Sequence, residues 1–157
     1  MLKSCPKTFL IRAFLFFSML LLLGCDAKKK SLNTYNKPII ENLITATESW
    51  AGDVYSYPKG QAQMTLLRIK VPVGYRTPVH IHPQPGVAFV AKGRLECVVK
   101  ANKTLIAETG DSFATNFGDV PHYCENIGDD EVLIFVAYAG AEGKVLTIPL
   151  DGNNNSN

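Results

Sequence analysis

The 157-residue sequence predicts an all-β fold, a sandwich or small barrel. Short runs rich in β-branched and aliphatic residues recur along it, turn-forming residues interrupt them about every eight to twelve positions, and no stretch sustains a helical period. The length is that of one domain, and the apolar content is enough to fill a core.

From the N-terminus, Lys3, Lys7 and Arg12 precede an uncharged apolar run, Ala13–Leu23, interrupted by Ser18 alone. The run is shorter than the roughly twenty residues that cross a bilayer and sits where a signal peptide would, so residues 1–24 are set apart from the fold. Residues 25–38, polar and basic without period, read as a flexible tether. The folded domain is expected over residues 39–150. A short helix suits Lys37–Leu43, and strand runs follow at Ala62–Val71, Gly86–Lys92, Arg94–Lys100, Glu131–Tyr138 and Lys144–Leu150. Pro58-Lys59-Gly60, Gly74, Gly93, Asn102, Gly110-Asp111, Gly118-Asp119, Gly128-Asp129-Asp130 and Gly140 supply the turns between them. Residues 151–157 read as a disordered tail.

Loss of the signal removes three of the 16 Lys and Arg residues and none of the 14 Asp and Glu, leaving 13 against 14. That balance gives no electrostatic case for nucleic acid. Lys28–Lys30 serve either as a solvated tether or as a membrane-surface contact, where each cation adds about 1 kcal/mol of attraction to anionic headgroups. Of the 4 cysteines, Cys5 leaves with the signal.

The histidines are His80, His82 and His122. On a strand His80 and His82 project from one face, roughly 7 Å apart along the backbone, and can converge on one ion. Alone, a His-x-His pair is a weak signal that also suits a satisfied or surface pair; His122 is the remaining histidine that can complete a triad. Neutral imidazole fits zinc, iron, copper and nickel. Gln84, between Pro83 and Pro85, shares the face of His82 and reads as lining the mouth or ligating weakly. Arg76 has the same parity and is a candidate for binding a substrate carboxylate, or else a surface arginine with its head in water. Phe89, Phe113, Phe117, Phe135 and Tyr138 read as core, and Trp50 as packing across the barrel end or in an interface. Cys124 has the parity of His122, and Cys97 shares a face with Leu95 and Val99. Two interior cysteines allow a disulfide, a soft ligand from Cys124, or two buried thiols.

Leu22-Leu23-Gly24-Cys25 is similar to the lipobox of bacterial lipoproteins. The resemblance implies cleavage before Cys25, lipidation of its thiol and stable anchoring by more than one acyl chain, each buried methylene adding about 0.8 kcal/mol. It implies an exported, membrane-anchored protein. In well-studied Gram-negative sorting systems Asp26, directly after the cysteine, favours the periplasmic side of the inner membrane over the outer membrane.

Gly74, then five residues, His80-Ile81-His82, then three residues, Gly86, then six residues and Gly93, resembles the first motif of the cupin superfamily, except that the motif has a glutamate at the Gly86 position. The second cupin motif is matched by Gly110, Asn116, Gly118, His122 and Asn126, with Asn116 at a usual proline and one extra residue between Gly118 and His122. All three histidines fall on the motifs' histidine positions. The resemblance spans about Leu43–Leu150 and implies a small single-domain cupin, a double-stranded β-helix (jelly-roll-like) barrel. It further implies one divalent transition metal ion held by His80, His82 and His122, with iron, zinc, copper, manganese and nickel not distinguished. Asn126 is expected to support the site or form a turn, not to ligate. Some three-histidine cupins are iron dioxygenases, so the implied activity is that of a metal-dependent dioxygenase or isomerase acting on a small molecule. A non-catalytic module that captures a small molecule or a metal stands beside it. Cupins often pair through their sheets, so a homodimer joins the small-molecule ligand and the membrane as expected partners.

Overall fold

Apolar residues alternate with polar or smaller ones along most of the expected runs, and each such run forms a strand with one face turned inward. A computed structural model of the chain describes residues 37–99 and 103–150. The expected signal peptide, Cys25, most of the tether and the tail at residues 151–157 lie outside these described residues. The chain divides into Met1–Ile39 and Ile40–Asn157, and every strand below belongs to the second unit.

The strands are β1 (Ala62–Val71), β2 (His80–His82), β3 (Gly86–Lys92), β4 (Arg94–Val99), β5 (Lys103–Glu108), β6 (Ser112–Ala114), β7 (Gly118–Asn126), β8 (Val132–Ala141) and β9 (Ile148–Pro149). They form two antiparallel sheets, β1-β8-β3-β6 and β5-β4-β7-β2-β9. The first and third expected runs match β1 and β4 within one residue, and the second matches β3. The short helix expected at Lys37–Leu43 is absent: those residues carry no regular structure, and Ile39, Ile40 and Leu43 are exposed, so no packing offsets the cost of helix nucleation.

The core lies between the sheets. Val71, Ala88, Val90, Val132, Ile134, Val136 and Tyr138 come from the first sheet and Leu95, Cys97 and Ala107 from the second. Trp50 packs against the same cluster. Phe89 and Phe135 depart from the core reading. They are cross-strand partners of odd parity on β3 and β8, half-buried, while their even-numbered neighbours Ala88, Val90, Ile134 and Val136 fill the interior. Gly93 joins β3 to β4 at φ 91, a conformation that an L side chain rarely adopts.

Where β2 meets β7 the register shifts: His80 faces His122, but His82 faces Gly118. Asp119, Val120 and Pro121 therefore oppose Ile81 alone. This bulge gives β7 two more residues than β2, and it houses Pro121, which has no N–H to give to a ladder.

Candidate metal centre

β2 brings His80 and His82 to one side, and the pairing of His80 with His122 brings the third imidazole from β7 against them. The ring centroids are 4.3 to 5.0 Å apart, and one ring nitrogen from each residue lies within 4.8 Å of the others. His82 and His122 are buried, and His80 is half-buried.

Each ring is oriented by a backbone carbonyl. Nδ1 of His80 lies 2.8 Å from Pro78 O, Nδ1 of His82 lies 2.9 Å from Leu146 O, and Nδ1 of His122 lies 3.2 Å from Val120 O. A carbonyl oxygen only accepts, so each Nδ1 carries the proton and each Nε2 keeps its lone pair. Three such lone pairs on adjacent rings are a metal-ligand arrangement with its supporting hydrogen bonds in place. Burial holds His82 down to about 4 and His122, also pressed by His80 and His82, down to about 3, so both are neutral ligands at neutral pH. A bound ion would supply Lewis acidity there and leave positions open for a ligand.

Among the described residues no carboxylate joins the triad. Gly86, at the glutamate position, has no room for one. A Cβ there would meet Ala137 O at 2.9 Å, Tyr138 Cδ1 at 2.9 Å and Thr115 Oγ1 at 3.0 Å. Tyr138 is the cross-strand partner of Gly86, and its hydroxyl and that of Thr147 lie 3.3 Å from His82 Nδ1. Burial raises the Tyr138 phenol well above its ordinary range, so it remains neutral.

The triad opens into a cavity of about 310 Å³ between the sheets. Leu67 and Ile69 of β1 and Ile134 and Val136 of β8 line one side, and Thr77, Pro78 and the histidines the other. Cys97 and Cys124, directly opposed on β4 and β7, form a disulfide in its wall, so neither sulfur is a thiolate ligand. Asn116, 2% exposed, also lines the cavity and has no hydrogen-bond partner for its Nδ2.

Two expected neighbours lie elsewhere. Arg76 does not line the cavity: its Nε donates to Glu125 Oε2 at 2.8 Å, and its guanidinium lies 4.5 Å from the Tyr123 ring centroid. Glu125 draws it outward. Gln84 is 3% exposed and packs beside Gly140, outside the cavity lining. Asn126, 1% exposed, pins a turn: its Nδ2 donates to Val71 O at 2.9 Å and Asp130 O at 2.8 Å, and its Oδ1 accepts from Gly128 N at 2.9 Å. Sequence reasoning missed Tyr138 and Thr147 as neighbours of His82. The even-residue parity of β8 was the one signal for Tyr138; Thr147 had none.

Two sheets enclosing a core and a histidine triad on the inner face define an all-β cupin barrel with a site able to hold a metal. Residues 67–138 match the family model for the cupin domain, which supports the cupin superfamily. No curated protein matches the chain. Among solved structures it is similar to an oxalate oxidase in complex with the substrate analogue glycolate (22% identity, TM-score 0.48, covering 55% of this chain and 46% of that one). It is also similar to the DMSP lyase DddQ from Ruegeria pomeroyi DSS-3 (20%, 0.48, 57% and 45%). A third is a cupin-like protein from Thermotoga maritima (18%, 0.44, 59% and 77%). The chain spans about half the length of the first two (46% and 45%), and likeness at this level says nothing of what it binds.

Proposed function

We propose that this chain is an exported, lipid-anchored cupin that binds one divalent transition metal through His80, His82 and His122 and acts on a small molecule as a metal-dependent dioxygenase or isomerase. The supporting observation is the set of three Nδ1–carbonyl hydrogen bonds, which frees three Nε2 lone pairs toward one another. Export and anchoring rest on the Leu22–Cys25 motif, with the periplasmic side of the inner membrane as the site and the membrane as a partner.

A non-catalytic small-molecule or metal-binding role is favoured by a different observation. No Asp, Glu or Lys lines the cavity among the described residues, so a general base besides the histidines is lacking there.

Elemental analysis of untagged protein purified from its native compartment, beside His122→Ala, tests the metal. About one equivalent in the parent and a large loss in the variant are expected; metal-free parent protein would refute the proposal. Oxygen uptake with thiols by iron-loaded protein separates enzyme from binding module.

A further inference from the structure

The cavity has two unlike walls. Leu67, Ile69, Ile134 and Val136, with Phe113 and Tyr138, make the first-sheet wall largely apolar, whereas the second-sheet wall carries the triad and Thr77 beside Leu95 and the Cys97–Cys124 disulfide. Among the described residues no Asp, Glu, Lys or Arg is in the lining, so a charge carried on the body of a ligand would be buried unpaired and disfavoured. The volume of about 310 Å³ holds about ten water-sized groups at roughly 30 Å³ each.

We infer that the site takes a small amphiphile: a metal-binding head at β2 and β7 joined to an uncharged aliphatic or aromatic body, about ten heavy atoms in all, lying against β1 and β8. The inference rests on the reading that the triad holds a metal. It assigns the body of the ligand to the hydrophobic effect and the head to coordination, with selection between ligands made by the tail.

The test uses the full chain loaded with Co(II) and a series of straight-chain alkyl hydroxamates from acetohydroxamate upward, with free probe measured by dialysis and binding read from the cobalt absorption bands. Affinity should rise about fourfold per added methylene and then level off once the cavity is full. A hydroxamate ending in a carboxylate or an ammonium should bind at least tenfold more weakly than its methyl-ended counterpart. Leu67→Ala should move the plateau to longer chains. Bound cobalt with a flat series, or with charged ends tolerated, overturns this inference and leaves the metal reading standing; failure to bind cobalt overturns both. The charged-end comparison needs no variant, so a misfolded Leu67→Ala leaves the test decisive.

Discussion

Gly86→Ala is the sharpest test of why the triad lacks a carboxylate. Gly86 has no positive φ, so its backbone would accept an L residue, and relief of unfolded-state entropy alone would make alanine more stable by about 0.4–1 kcal/mol. Space decides against it. The added Cβ would sit 2.9 Å from Ala137 O, which belongs to the β3–β8 ladder, and 2.9 Å from the ring of Tyr138, which is 3% exposed. Neither can yield cheaply, and overpacking of this kind costs typically about 1–3 kcal/mol. The net expectation is a loss of about 1–2 kcal/mol, or a Tm fall of about 4–8 °C for a domain of this size. Gly86→Glu should lose more, because a carboxylate enters with the methylene. A double-mutant cycle with Tyr138→Ala should show a coupling of about 0.5 kcal/mol or more, since removing the ring removes one clash. Thermal and urea unfolding of the metal-free proteins measure these terms. Gly86→Ala at or above parental stability would refute the steric account.

Reduction of Cys97–Cys124, or Cys97→Ser with Cys124→Ser, should lower stability by about 3–4 kcal/mol, the chain-entropy value for a sequence separation of 27; urea midpoints with and without reductant check it. Asn126→Ala removes three hydrogen bonds, one of them buried and two part-buried, and should cost about 2–4 kcal/mol in unfolding experiments while leaving metal stoichiometry unchanged. For the metal-free protein, His82 and His122 have folded values of about 4 and about 3, below the ordinary 6.5, so the unfolded chain binds more protons in between. Their contribution is complete above about pH 6.5 and is lost as pH falls toward the folded values. By pH 4.5 each should have given up about 2–3 kcal/mol, and a pH series of urea midpoints should flatten in His82→Asn with His122→Asn.

The sequence made the all-β class legible because β3, β4 and β8 keep an inward face over six or more residues, while the largely exposed β1 turns Leu67, Ile69 and Val71 to the cavity. β5 did not register: it is a largely exposed strand whose Leu105 and Ala107 face inward between Thr104, Ile106 and Glu108. β6 and β9 are two to three residues long and exist only through their partners. The three histidines were legible from spacing, but their orientation was not, since it depends on carbonyl groups that every residue possesses. Arg76 illustrates the limit of parity: a bridge to Glu125, set by the fold, overrides the direction its own strand position implies.

Two of the three imidazoles are aimed by carbonyls two residues earlier in the chain, and the third by a carbonyl sixty-four residues later. The first two orientations are therefore local and robust, whereas that of His82 is owed to the C-terminal segment. A nascent chain must pass Leu146 before its last ligand is held in place, and a protease cut ahead of that residue would leave three histidines in the sequence but only two aimed. Metal binding by this triad, where it occurs, would thus double as a report on whether the C-terminal segment is in place.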